Sequence, residues 1–284
     1  MFDRHASALV PTTAFVLLWS SGAIVSEVGL RHGSAFALLL FRYGLALAVL
    51  IAAGLYNRQL LPRSGSRLRT GFIGFSIAGV YSIFYLLAMK NGVTPGALAT
   101  ILGIQPILTL FIWEKRVGGV RLIGLLCALA GLALIVGDGL AMMRFEPVGL
   151  VFACLALFGI TFGSIAQKRE TQAPWAVLPM QYAVGFALIC AAVPFTDVHA
   201  SWEVGFLFSG LWLGLVISVG ATFLLYRLIA RGNLVNVTSL FYLVPGVTAA
   251  MDWLLLGHRM SAVALAGLAM IMAGLVLVFR PRNI

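Results

Sequence analysis

Charge is scarce in this chain. Of its 284 residues 10% are charged, and nine are acidic against nineteen basic. Soluble domains carry about 25% charged and ~45–50% apolar residues; here 61% are hydrophobic and mean hydropathy is +1.04. A water-soluble globule of this length has no way to hide so much apolar surface, which excludes a soluble enzyme. The same composition excludes disorder. Cysteine is scarce too. Cys127, Cys154 and Cys190 lie in apolar runs without paired or metal-type spacing, so they read as small packing residues. The four histidines, His5, His32, His199 and His258, fall at loops or helix ends, and neither HExxH nor GxxxxGK[ST] occurs. That removes the zinc-protease and P-loop signatures. No cofactor and no metal are expected.

What is present is a series of long apolar runs. A membrane-crossing helix needs ~20 mostly apolar residues. Runs broken by charges, Gly and Pro predict ten, at 8–29, 34–56, 69–90, 95–113, 119–137, 148–167, 174–195, 204–226, 234–256 and 261–279. The expected fold class is therefore an all-α polytopic membrane protein. Arg4 precedes the first run, but the run is too long for the core of a signal peptide and reads as a retained helix. The net charge of +10 sits in the short connecting loops, where it sets orientation rather than binding nucleic acid. With the N-terminus inside, cytoplasmic segments and span ends hold fourteen Lys and Arg and the opposite side four, and one more, Arg42, lies within a span. This positive-inside bias predicts both termini in the cytoplasm of a multi-pass cell (inner) membrane protein.

Shifted by 139 residues, the sequence resembles itself. Trp19 falls on Phe158, Phe41-Arg42-Tyr43 on Met180-Gln181-Tyr182, Phe84 on Phe223 and Pro106 on Pro245. After the prolines the offset grows by about one helical turn, and Arg116 falls on Arg259, Gly124 on Gly267 and Ala130-Gly131 on Ala273-Gly274. Five helices per copy is odd, so the second copy enters the membrane from the other face. The expected organisation is a first five-helix repeat over 1–137 and an inverted one over 148–284. Secondary transporters obtain alternating access from this architecture.

These features resemble the drug/metabolite transporter superfamily: Leu18-Trp19-Ser20 in helix one, Phe41-Arg42-Tyr43 in helix two, a proline in helices four and nine, and Glu114 after helix four. Within it the chain is similar to the EamA-type exporters and to amino-acid exporters of the YddG type. There are departures: His258 stands where a glutamate is expected after helix nine, and the helix-four segment is one turn short. The resemblance implies export of amino acids, including aromatic ones, or of related metabolites. It also makes lipophilic drugs, with proton coupling, the alternative cargo.

Helices five and ten are nearly free of polar side chains, so they are assigned to packing, with Gly124, Gly131, Gly267 and Gly274 permitting close approach. The other eight supply the candidate substrate site: Trp19, Ser20, Arg42, Tyr81, Tyr85, Gln105, Phe158, Thr161, Gln181, Thr238 and Tyr242. A Ser or Thr in a membrane helix more often bonds its own backbone than a ligand. Buried amides are stronger candidates, because an unsatisfied one in lipid costs several kcal/mol. Arg42, ~12 Å into helix two at 1.5 Å per residue, has three readings. It receives a substrate carboxylate, it pairs with Glu27, or it snorkels outward. Pro106 and Pro245 are candidate hinges, or static kinks.

Aromatic walls with a single cation suit a small, partly apolar molecule better than a phosphorylated one. The expected partners are that substrate and the lipid bilayer, with no nucleic acid, in a monomer or weak dimer. No Asp, Glu or His lies at mid-depth of a span, so facilitated, uniport-like transport is expected. A channel or an intramembrane enzyme is the alternative of another class.

Overall fold

The computed structural model describes residues 2–114, 118–141, 147–244, 246–247 and 262–279. It is helical almost throughout. Helix α1 is Phe2–His32 and α2 is Ala35–Tyr56. Helix α3 runs Arg67–Ile73, continues as a π-helix over Gly74–Tyr81 and ends with Ser82–Lys90. Helix α4 comes in two pieces, Pro95–Leu102 and Gln105–Trp113. Then follow α5 (Gly119–Ala141), α6 (Pro147–Lys168) and α7 (Pro174–Ala192). Helix α8 runs Val204–Leu211, a π-helix over Trp212–Ala221, and Thr222–Arg231. Helix α9 begins as Leu234–Ser239, tightens to a 3-10 turn at Leu240–Tyr242, and α10 is Ala262–Phe279. Among the described residues eight helices are long and apolar enough to cross a membrane, and Ala97–Trp113 forms a shorter apolar segment.

Local sequence explains the helix ends. Ser34 and Thr94 cap α2 and α4 by accepting from the backbone N–H of Ala37 and Ala97, and Asn233 does the same for α9 through Asn236. After α3 the chain turns through Gly92 at φ +83°, a conformation that glycine adopts without steric cost. The break in α4 corrects the expectation of one helix kinked at Pro106. Proline has no N–H and so leaves the carbonyl four residues earlier unbonded. Gly103 and Ile104 form the turn between the pieces, and Pro106 sits in the first turn of the second piece. Pro245, the other candidate hinge, lies outside the described residues, as does His258.

The glycine pairs on α5 and α10 reveal an internal two-fold. A Cβ on Gly131 would stand 2.5 Å from the Gly267 carbonyl oxygen, and one on Gly267 would stand 2.5 Å from that of Gly131. Gly124 and Gly274 oppose each other in the same way, at 2.7 and 2.5 Å. Since Gly124 corresponds to Gly267 and Gly131 to Gly274, each contact is the image of the other. That self-complementarity is the mark of a two-fold axis. It also makes α5 and α10 antiparallel, because rising numbers on one meet falling numbers on the other. The π-helices of α3 and α8 occupy matching places and pack the same way across the halves. A Cβ on Gly74 would meet the backbone of Gln181 at 2.5 Å, and one on Gly214 would meet the Arg42 carbonyl at 3.1 Å. Near the axis Tyr43 stacks on its counterpart Tyr182, with centroids 5.1 Å apart. Tyr43 shares a 2.5 Å hydrogen bond with Ser82, whose hydroxyl also donates to the Ile77 carbonyl. Tyr182 donates to the Ser218 carbonyl at 2.6 Å and lies 3.2 Å from the Thr222 hydroxyl, which donates to the Ile217 carbonyl.

Two sets of contacts bind the halves at opposite ends of the bundle. At the α1–α2 end, Gly33 and Ala200 form a short antiparallel bridge, and Ser34 N–H donates to the His199 carbonyl at 2.8 Å. His32 lies 3.2 Å from Glu203. At the other end, Arg121 donates to Glu114, Asn233 and Asn236, tying the α4–α5 turn to the start of α9. Lys168 closes the end of α8 by donating to the carbonyls of Ile229 and Gly232 at 2.7 and 2.6 Å. Glu170 accepts from Gln172, from the Thr70 hydroxyl and from Arg69.

Burial alone would raise the Glu170 pKa. The Gln172 hydrogen bonds and the Arg69 guanidinium outweigh it and hold the carboxyl below its ordinary value. A carboxyl with a depressed folded pKa contributes stability that is complete above the unfolded value and lost as pH falls through the folded one. The melting temperature is therefore expected to drop on acidification below the ordinary glutamate value of 4.5. Glu170→Gln should melt lower at neutral pH and lose less on acidification. Parallel melting curves for the two proteins across the acid range would contradict this.

Candidate functional site

One cavity of about 100 Å³ opens among α1, α2, α3, α4, α6, α8 and α9. Its walls are Trp19, Gly22 and Ser26 of α1, Arg42 of α2, Tyr81, Ser82 and Tyr85 of α3, and Ala99, Leu102, Gly103 and Gln105 around the α4 break. Ile160, Leu213, Ile217, Phe241 and Val244 complete it. Among the described residues neither α5 nor α10 contributes. On each helix these residues sit at mid-length or toward the α1–α2 end, so the cavity occupies that half of the bundle. The opposite half is filled around Leu110, Leu125, Val235, Tyr242 and Ile271 and closed by the Glu114–Arg121 cluster.

Five of the sequence candidates are brought together here: Trp19, Arg42, Tyr81, Tyr85 and Gln105. Trp19 is held edge-on by Phe241 at 5.3 Å and tilted on Phe15 at 5.2 Å. Tyr81 and Tyr85, one helical turn apart on α3, have ring centroids 5.6 Å apart. Gln105, the first residue of the second α4 piece, donates to the Ser164 hydroxyl at 3.3 Å. Arg42 donates through Nε to Ser218 Oγ at 2.7 Å and lies over the Tyr43 ring at 5.5 Å. Among the described residues its two terminal nitrogens donate to nothing. The alternative pairing with Glu27 is absent: Glu27 pairs with Arg31 one turn away at 2.7 Å, and both are exposed. Among the described residues Arg42 is the one charged side chain on the cavity wall.

The other candidates lie elsewhere, each for a local reason. Ser20 is fully buried and donates to the carbonyls of Val16 and Val244. Thr161 and Thr238 turn back to carbonyls of their own helices, Leu157 and Val235. Gln181 is enclosed between Gln167 at 3.1 Å and the Tyr226 hydroxyl at 2.5 Å, which leaves its amide no role toward the cavity. Phe158 points outward, 48% exposed and stacked on Phe162. Tyr242 is packed in the closed half, and among the described residues its hydroxyl has no partner. The sequence reading missed Ser26, Ser82 and the backbone at Gly103. A glycine three residues before a proline in an apolar run was the available signal for the last.

The cavity is rich in donors: the free Arg42 nitrogens, the Trp19 indole N–H and the hydroxyls of Tyr81 and Tyr85. No carboxylate faces it among the described residues. Such a wall is chemically suited to an anionic or polar group against Arg42 and an apolar or aromatic body against Trp19, Phe241 and the aliphatic side chains.

Comparison with known proteins agrees with this architecture. The model of the EamA-like transporter family matches twice, over residues 9–137 and 147–280. A protein of Salmonella typhimurium (strain LT2) described as a "probable amino-acid metabolite efflux pump" is 25% identical over 276 residues, covering 92% of this chain and 90% of that one. A protein of Escherichia coli (strain K12) with the same description is 24% identical over 277 residues, with the same coverage. A solved structure, described as a crystal structure of a protein, superposes with a TM-score of 0.79 at 20% identity over 96% of each chain. With the family model covering nearly its whole length in two copies, this multi-span membrane protein belongs to the EamA-like transporter family.

Proposed function

We propose that this transporter exports small, partly apolar metabolites, amino acids including aromatic ones foremost, by alternating access through the cavity. The observation that carries the reading is a cavity whose described lining has one cation without an acidic partner, Arg42, aromatic and hydroxyl-bearing side chains, and no carboxylate. The names of the two bacterial relatives support the same substrate class. The halves 1–137 and 148–284 act as the two inverted units, with both termini in the cytoplasm of the inner membrane. In that orientation the cavity lies in the external half, and the Glu114–Arg121 cluster with Asn233 and Asn236 seals the cytoplasmic side. The α4 break at Pro106 and the π-helices of α3 and α8 are the places where the bundle bends. The chain works as a monomer or weak dimer, as a carrier rather than an enzyme, and without nucleic acid.

Transport follows the substrate's own gradient. Glu27 is exposed and paired with Arg31, so it does not serve as a buried proton carrier of the kind that membrane-embedded carboxylates provide. Counterflow of labelled phenylalanine in proteoliposomes tests both parts of the reading. It is expected to proceed without an imposed pH gradient and to be unchanged in Glu27→Gln. Accumulation that requires the pH gradient and vanishes in Glu27→Gln would overturn facilitated export. Counterflow with cationic dyes but with no amino acid would overturn the substrate class.

A further inference from the structure

The cavity's hydrogen-bonding groups are unevenly distributed. Free donors come from α1, α2 and α3; another part of the wall is the break in α4, where the Gln105 amide N–H is given to Ser164. Pro106 has no N–H to give the Leu102 carbonyl, and the N–H of Ile107 bonds to Ile104 at 3.0 Å rather than to Gly103. Among the described residues no backbone N–H reaches the carbonyls of Leu102 or Gly103. Both residues line the cavity, and glycine lines it with backbone alone. A Cβ on Gly103 would point away, against Leu132 on α5 at 2.6 Å. The first α4 piece therefore ends on the cavity with its last carbonyls unpaired, where the helix dipole places partial negative charge.

Resting on the amino-acid reading above, we infer that the Leu102 and Gly103 carbonyls receive the ammonium group of the substrate. The site then takes zwitterions, with the carboxylate at Arg42, the ammonium at the α4 break and the side chain against Trp19 and Phe241. An ammonium carries three donors and no acceptor, and backbone carbonyls, with the Gln105 amide oxygen beside them, are acceptors that this wall offers in place of a carboxylate. Ends of broken membrane helices serve charged ligands in this way because their unpaired groups are already dehydrated and fixed. The arrangement also explains how a cavity with no acidic residue in its described lining admits a positively charged group.

The test is equilibrium competition against bound labelled phenylalanine on the purified, intact transporter. The competitors are phenylalanine, 3-phenylpropionate, which lacks the ammonium, and N-acetylphenylalanine, which blocks it. Phenylalanine is expected to compete at least roughly tenfold better than either analogue, the scale of one charged hydrogen bond. Pro106→Ala restores an N–H that bonds the Leu102 carbonyl. It should lower that preference to about twofold, with elution and melting temperature showing that the variant is folded. Equal competition by the three ligands on the unaltered protein overturns the inference while leaving the exporter reading intact, and so does a folded Pro106→Ala that keeps the full preference. Failure of phenylalanine and every other amino acid to bind overturns both.

Discussion

Gly131→Val is expected to yield almost no folded protein. The nearest atoms to a Cβ at this position are backbone, the Gly267 carbonyl at 2.5 Å and the Ile271 nitrogen at 2.9 Å. No side chain can swing aside to relieve the clash, so α5 and α10 must separate along their whole contact. Overpacking in a core costs about 1–3 kcal/mol when side chains adjust; a backbone clash lies at or beyond the top of that range. Gly137 on the same helix has nothing within 4 Å of its Cβ position. Gly137→Ala should therefore be neutral, or stabilising by up to ~1 kcal/mol through helix propensity. The measurement is the monodisperse fraction and melting temperature of both variants in one detergent. A Gly131→Val protein that melts like the parent would remove the α5–α10 seam from the account.

The second large effect falls on function alone. Arg42→Gln should reduce transport and binding of amino acids by roughly 10- to 100-fold, the value of one or two charge-assisted hydrogen bonds. Its melting temperature should barely change. Among the described residues Arg42 has no acidic partner whose charge would be stranded, and the cost to the fold is one bond to Ser218 and the contact with the Tyr43 ring. Arg42→Lys keeps the charge but loses the planar fork, so its activity should lie between the two. Ser218→Ala frees the Nε and separates positioning of the guanidinium from its presence. Full transport by a folded Arg42→Gln protein would sink the assignment of this residue to the carboxylate.

Much of this arrangement is visible in the amino-acid order, because membrane burial writes itself in long apolar runs. The 139-residue offset identifies Tyr43 with Tyr182 and Gly124 with Gly267, and these residues lie at the two-fold. The near absence of polar groups from α5 and α10 follows from their mutual packing. The site is only partly legible. Trp19, Tyr81, Tyr85 and Gln105 are large polar or aromatic groups that need a wet or aromatic environment, and the cavity supplies it. Ser20, Thr161 and Thr238 share the expected helical faces, yet their hydroxyls reach backbone carbonyls. Periodicity identifies a face and is silent on what that face meets. Gln181 illustrates a further limit. Its counterpart Arg42 faces the cavity, but inversion carries it into the closed half, where Gln167 and Tyr226 enclose it. The π-helices had no signature, since GFSIAGVY and WLGLVISVGA are apolar on nearly every face and carry too little periodicity for a wider turn to disturb.

Thiol accessibility tests the central claim, an externally reachable cavity that holds amino acids, most directly. In a background with Cys127, Cys154 and Cys190 replaced by alanine, Tyr85→Cys and Gln181→Cys are exposed to a membrane-impermeant maleimide added outside intact cells. The account predicts labelling at position 85, slowed by phenylalanine, and none at position 181, which is buried in the closed half. Labelling at position 85 that phenylalanine leaves unchanged, or that occurs only from the cytoplasmic face of inverted vesicles, would contradict it.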